Sequence, residues 1–327
     1  MSKHRKKIGL VLGGGGARGW AHIGVIRAIQ EARIPIHCVA GTSMGALVGG
    51  AFVCGKIDLL QKVAIDLDWK HVFHYVIEFS PHRSGLIDGS KIVKFVRRHI
   101  TSTNIEDASI PLQVVATNIQ TGQEVVISQG DIIDAIRASV SIPGIFTPVV
   151  KRDLVLVDGG LVNPVPVSVV KAMGADFVIA VDVNRGLTEH TAAIKRGTIH
   201  TRPNVNPHQT EAGTHKIIDR INERINHAHL RSLSPVRRWI SRRSTPNVFD
   251  IMGNTIRIIE TELSAMLLEK TPPDILIQPQ VGQINFMEFH RAQEAIDAGY
   301  EAAHQLLANI SEAAENGKQN TRESNAT

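Results

Sequence analysis

The sequence predicts an α/β fold, and three features carry that expectation. The apolar run Ile8 to Leu12 ends in four glycines, Gly13 to Gly16. A second apolar run, Ile36 to Ala40, ends in Gly41-Thr42-Ser43-Met44-Gly45. After each glycine loop comes a segment of helical character, Trp20 to Ala32 and Ala46 to Val53. Strand, glycine loop and helix, twice over, is the rhythm of a parallel sheet with crossover helices.

Each element has its own reason. Ile8 to Leu12 is short and mostly aliphatic, as a strand buried on both faces should be. In Trp20 to Ala32, Ile23, Ile26, Ala28 and Ile29 fall on one side at helical spacing. Leu112 to Asn118 and Glu124 to Ser128 flank Thr121-Gly122, a hairpin turn signal. Ile132 to Val140 reads as a helix. Leu154 to Val157 reads as a strand ending at Asp158-Gly159-Gly160. Val165 to Met173 is a helix stopped near Gly174, and Phe177 to Val183 a buried strand. The alternation then breaks. Residues from about 186 to 248 are polar, basic and rich in His, Asn, Pro and Thr. The helical period returns from Ile251 through Leu268, followed by a last core strand, Asp274 to Ile277, and a closing helix, Met287 to Leu307. The domain expectation is a core over 1–185, a partly disordered basic insertion or linker over 186–250, completion of the core over 251–310, and a disordered tail over 311–327.

Composition bounds the function classes. The chain has 327 residues, 43% hydrophobic and 20% charged, which excludes wholesale disorder. Aromatics are only 4%, so the core must be aliphatic. No apolar run of about 18 residues exists, so no helix is expected to span a membrane. Cys38 and Cys54 sit in apolar stretches and are too few for a disulfide framework, which suits a reducing compartment. The basic start Met1 to Lys7 precedes an apolar run too short for a signal peptide, so a cytoplasmic location is expected. The net charge of +5 is uneven. Arg185 to Arg243 holds 12 Lys/Arg against 4 Asp/Glu, a net of +8 on a mildly acidic body. Uniform basicity of the nucleic-acid type is absent.

Gly41-Thr42-Ser43-Met44-Gly45 matches G-x-S-x-G. A strand turning sharply into a helix leaves the serine hydroxyl exposed at the helix N-terminus, where the dipole favours developing negative charge. The same pattern also fits a plain turn. Gly13 to Gly19 has three possible uses. A P-loop needs Lys and Ser/Thr after Gly19, but Trp20 and Ala21 stand there. A dinucleotide fingerprint fits Gly14-x-Gly16-x-x-Gly19, but the acid expected about 20 positions on is missing. An oxyanion hole would use the loop's N–H donors beside a nucleophilic serine. That serine needs a base. His290 and His304 come late enough for a His-based triad but fall within the closing helix. Asp158 ends a buried strand, where open α/β sheets place their ligands, and Gly159-Gly160 leave its carboxylate unshielded. The alternative for Asp158 is a turn or cap. The His residues are scattered and suggest no metal site.

Taken in order, these blocks resemble the patatin-like phospholipases, which use a Ser–Asp dyad. They are Gly14-Gly15-Gly16-Ala17-Arg18-Gly19, Gly41-Thr42-Ser43-Met44-Gly45 and Asp158-Gly159-Gly160, the last a variant of the commoner D-G-A. The stretch Ala138 to Pro148 is similar to the segment the family carries ahead of its aspartate. The resemblance covers roughly residues 7 to 185 and is closest to the bacterial branch related to the neuropathy-target-esterase catalytic domain. It implies a three-layer α/β/α sandwich with a mainly parallel sheet, and hydrolysis of phospholipid or lysophospholipid acyl esters without calcium or other cofactor. Ser43 would be the nucleophile and Asp158 the base. The oxyanion hole would lie at Gly14, Gly15, Gly16 and Arg18. An Asp at its reference pKa is a weaker base than His by about 3.5 kcal/mol, so the dyad requires a desolvated Asp158 bonded directly to Ser43.

The basic segment lies outside that resemblance, and nothing of the family is carried onto it. Arg237-Arg238-Trp239-Ile240-Ser241-Arg242-Arg243 sets cations around a Trp, which suits an anionic membrane interface at the inner membrane face. A solvated linker fits equally. The expected partner is therefore a lipid, with no nucleic acid. Two other functions stay open: a nucleotide or dinucleotide binder using the glycine loop, and a catalytically idle lipid-binding protein of the same fold.

Overall fold

The computed structural model describes residues 6–66, 85–87, 97, 104–184 and 248–307. In chain order the elements are β1 (Ile8–Leu12), α1 (Ala21–Glu31), β2 (Cys38–Thr42), α2 (Met44–Val53), α3 (Ile57–Asp66), β3 (Gly85–Ile87), β4 (Leu112–Asn118), β5 (Gln123–Ile127), α4 (Ile132–Ser139), β6 (Gly144–Phe146), β7 (Val149–Lys151), β8 (Leu154–Asp158), α5 (Val167–Ala172), β9 (Phe177–Val181), α6 (Val248–Lys270), β10 (Ile275–Ile277) and a closing helix α7 over 292–307. The chain divides into a unit of Met1–Thr188 with Met252–Thr327 and a unit of Glu189–Ile251. Every strand named above belongs to the first unit. The expected tail over 311–327 lies outside the described residues, as does the basic insertion apart from its last residues.

β1 lies between β9 and β2, parallel to both. β10 adds in parallel beyond β9, and β4 in parallel beyond β2. On the β4 side the sheet turns antiparallel, through β5, β8 and β7. The sheet is thus mixed, with a parallel centre and an antiparallel flank. β3 and β6 form a separate parallel pair.

Side-chain alternation along the strands divides the core into two layers. Leu10, Leu12, Val39, Val114 and Ile179 pack with Ile23 and Ile26 of α1, Val48 of α2, Ile136 of α4 and Ile296 of α7. Val11, Ala40, Val115, Val178 and Ala180 pack on the opposite face with Val167 and Val170 of α5, and Leu268 of α6 joins them. Helices on both faces of one sheet make the α/β/α sandwich, and its core is aliphatic as the composition required. No helix among the described residues is long and apolar enough to cross a membrane.

One detail of the pairing positions the site. Val114 and Val115 pair with β2 on one edge of β4 and β5 on the other. Ala116 to Asn118 pair with β8 and β5. β2 and β8 therefore share one edge of β4, end to end. Thr42 opposes Val115, and Asp158 opposes Ala116 on the next rung.

Several boundaries differ from the sequence reading, three of them for a reason visible in the hydrogen bonding or register. The first helix is preceded by a 3₁₀ turn, Gly16–Trp20, because the Ala17 N–H is drawn to the Phe286 carbonyl. β2 starts two residues later than expected, as its parallel register runs from Gly9↔Cys38 to Leu12↔Gly41. The closing helix starts at 292, after a 3₁₀ turn at Phe289–Arg291, since Glu288 has ψ 52 and accepts the Asn285 N–H. Cys38 is buried, whereas Cys54 is only half-buried.

Candidate active site

Ser43 joins β2 to α2 with φ 54 and ψ −121, a conformation disfavoured for any residue with a Cβ. The surroundings hold it there. Its N–H donates to Ser139 Oγ at 2.8 Å, and its carbonyl accepts from Ala46 and Leu47 at the start of α2. The flanking glycines are steric necessities. A Cβ on Gly41 would lie 2.6 Å from the Gly45 carbonyl oxygen, and one on Gly45 would run into the Leu12 carbonyl.

Asp158 is equally fixed. Its N–H donates to the Ser141 carbonyl at 2.9 Å, and its own carbonyl accepts from Thr117 Oγ1 at 2.8 Å. Oδ1 accepts the Gly160 N–H at 2.8 Å, and Oδ2 accepts the Ser43 hydroxyl at 2.7 Å. Both side chains are buried. Burial pushes the Asp158 carboxyl up to about 6, against the pull of the Gly160 and Ser43 hydrogen bonds. Most of the basicity deficit relative to His is thereby removed.

In the glycine loop, Gly13 donates to the Val181 carbonyl at 3.0 Å and Gly14 to the Pro164 carbonyl at 2.9 Å. This corrects the expected donor set, since the Gly14 N–H is already committed. Gly15 and Gly16, at φ 156 and 57, have N–H groups with no acceptor among the described residues. Arg18 is fully buried and braces the loop. Its Nε donates to the Gly15 carbonyl at 3.2 Å and its Nη2 to Asn184 Oδ1 at 3.0 Å. Burial lowers its pKa to about 10. A phosphate does not reach a guanidinium so enclosed. His22 lies beneath the loop, its Nε2 2.8 Å from the Gly13 carbonyl, and burial pushes it down to about 4. It is a neutral support there. His290 and His304 are exposed, and neither bonds to Ser43 or Asp158. Arg237, Arg238, Trp239, Arg242 and Arg243 lie outside the described residues.

Three residues of the site went unread in the sequence. Ser139 stood in the quoted stretch without a role. Asn184 follows β9, and its Nδ2 donates to the Gly14 carbonyl and to Glu260 Oε2, each at 3.2 Å. Glu260 is buried on α6, where burial first and the Asp158 charge second push its carboxyl up to about 8. α6 is inverted relative to an ordinary surface helix. It buries Arg257, Glu260 and Ser264 while exposing Ile258, Ile259 and Met266. The polar spacing 257, 260, 264 is the signal that was available.

The patatin-like phospholipase family model matches residues 10–171. An uncharacterized NTE family protein of Mycobacterium bovis is 30% identical over 329 residues, covering 92% of this chain and 91% of its own. Lysophospholipase NTE1 of Mycosarcoma maydis is 31% identical over 315 residues, covering 92% of this chain but 15% of that much longer protein. With this likeness running through nearly the whole length of both chains in the mycobacterial pair, the chain belongs to the NTE family of patatin-like phospholipases.

Proposed function

We propose that the protein hydrolyses acyl esters of phospholipids or lysophospholipids through an acyl-enzyme formed on Ser43. The observation that carries this reading is the 2.7 Å hydrogen bond from Ser43 Oγ to Asp158 Oδ2 at a strained strand-to-helix turn. Asp158 takes the serine proton as Oγ attacks the ester carbonyl carbon. The carbonyl oxygen gains the charge and is met by the N–H groups of Gly15 and Gly16, beside the positive end of α2. As the intermediate collapses, the leaving alcohol takes the proton from Asp158. Water then attacks the acyl-serine by the same route, with Asp158 again the base, and releases the fatty acid.

Two sequence alternatives lose ground. A loop that cradles phosphates offers its N–H groups freely, whereas those of Gly13 and Gly14 are committed to the Val181 and Pro164 carbonyls. An idle member of the fold has no need of an aspartate held at bonding distance to a strained serine. The relative from Mycosarcoma maydis, whose name is lysophospholipase, supports the choice of lipid ester. The test is fatty-acid release from a 1-acyl lysophospholipid and a diacyl phospholipid in mixed micelles. Release by the wild type and none by Ser43→Ala supports the reading. Release from neither lipid by the wild type contradicts it.

A further inference from the structure

Glu260 is a buried carboxyl that the two-residue scheme does not use. Its Oε2 has a defined partner. Asn184 accepts from Arg18 Nη2 at its Oδ1 and donates its Nδ2 hydrogens to the Gly14 carbonyl and to Glu260 Oε2. Oε2 is therefore the accepting oxygen. Oε1 has no hydrogen-bond partner among the described residues. It lies where glycines leave the space open. A Cβ on Gly160 would run into it, and the point a Gly14 Cβ would occupy is 3.4 Å from Oε1 and 3.5 Å from Ser43 Cβ. Oε1 thus borders the space that adjoins the nucleophile and the loop donors.

Charge decides which form the carboxyl takes. The titratable groups around it are Asp158 at the end of β8, Arg18 in the glycine loop and Asp182 after β9, with Arg257 one turn away on α6. Arg18 donates from Nε to Gly15 and from Nη2 to Asn184, and its charge pulls the Glu260 carboxyl down, but it makes no hydrogen bond to it and burial with the Asp158 charge outweighs it. Two carboxylates in one buried space cannot both ionise cheaply, and Asp158 already receives two hydrogen bonds. The proton therefore stays on Glu260. With Oε2 accepting from Asn184, that proton sits on Oε1.

We propose that Glu260, in its acid form, is a third catalytic residue whose Oε1–H donates a hydrogen bond to the ester carbonyl oxygen as Ser43 attacks. The inference rests on the serine-hydrolase reading above. A neutral carboxylic acid is a strong donor in a dry site, and it joins the Gly15 and Gly16 N–H groups without adding negative charge. It also gives a reason for α6 to bury Glu260.

The test compares Glu260→Gln with Glu260→Ala by kcat and KM for a soluble p-nitrophenyl ester from pH 5 to 10. Gln keeps an acceptor for Asn184 and an N–H donor toward the substrate, but it cannot ionise. The wild type should rise through pH 6 as Asp158 ionises and fall above about pH 8 as Glu260 loses its proton. Glu260→Gln should keep kcat within about threefold at pH 7 and lose the alkaline fall. Glu260→Ala should lose about 10²-fold in kcat with little change in KM. Gln falling as far as Ala, or keeping the wild-type alkaline limb, overturns the proposal while leaving the Ser43 reading intact. A wild type that hydrolyses no ester overturns both.

Discussion

The Ser43 N–H donates to Ser139 Oγ at 2.8 Å, and Ser139 Oγ donates in turn to the Val115 carbonyl at 2.6 Å. Ser139 is the last residue of α4, so one hydroxyl ties the strained turn to a helix and to the neighbouring strand. Two residues on, the Ser141 carbonyl takes the Asp158 N–H. A single short segment thus braces both halves of the dyad from behind.

Ser139→Ala leaves the buried Ser43 N–H without its acceptor, at a cost of about 1–3 kcal/mol in stability. The larger effect is on geometry. The expected result is a loss of about tenfold in kcat, near 1.4 kcal/mol, with KM within about twofold. Steady-state kinetics with a soluble ester, alongside thermal melting, check both parts. Unchanged kcat would show that the turn holds itself.

Asp158→Asn separates activity from stability. It keeps an acceptor for Gly160 but cannot take the Ser43 proton, so kcat should fall by about 10³-fold or more. His290→Ala and His304→Ala should stay near wild type. The stability sign follows from linkage. The folded carboxyl titrates near 6 and the unfolded one near 3.8, so ionisation favours the unfolded chain as pH rises between these values. The penalty is full above about pH 6 and absent below about pH 3.8. Asp158→Asn should therefore raise the free energy of unfolding at pH 7.5, by no more than about 3 kcal/mol at 1.36 kcal/mol per unit, with a matching rise in melting temperature, and lose that gain toward pH 4. A variant less stable at pH 7.5 than the wild type would contradict the buried-carboxyl account.

The parts legible in the sequence were those set by local chemistry. Gly41 and Gly45 can be read because a sharp turn around Ser43 leaves no room for a Cβ. Ile8 to Leu12 can be read because a strand buried on both faces must be apolar. On the antiparallel flank the β4–β5 hairpin was legible from Thr121-Gly122, but the β7–β8 pair was not. The turn between β7 and β8 carries Arg152 at φ 53, where a glycine or asparagine would have signalled a hairpin. Ser139 was hidden because its partner is 96 residues away. Glu260 was hidden because a glutamate in a helix ordinarily faces water, and only the fold turns that face inward.

The basic segment between Arg185 and Arg243 is proposed as a membrane-docking insertion on its charge alone. Replacing Arg237, Arg238, Arg242 and Arg243 by Gln should weaken binding to anionic vesicles, at about 1 kcal/mol per cation, and slow hydrolysis of vesicle-borne lipid. kcat/KM for a soluble short-chain ester should stay unchanged. Trp239 fluorescence should shift to the blue when anionic vesicles are added to the wild type. Co-sedimentation at low and high salt checks the electrostatic origin, since the Debye length falls from about 10 Å at 0.1 M to about 3 Å at 1 M. Binding that ignores lipid charge and salt would make the segment a solvated linker.

The central claim is that Ser43 is the nucleophile, activated by Asp158. Its most direct test is covalent labelling with a fluorophosphonate probe at pH 7.5, followed by mapping of the modified peptide by mass spectrometry. The account predicts one label, on Ser43, absent in Ser43→Ala and formed far more slowly in Asp158→Asn. A label on any other residue, or one that persists in Ser43→Ala, would contradict it.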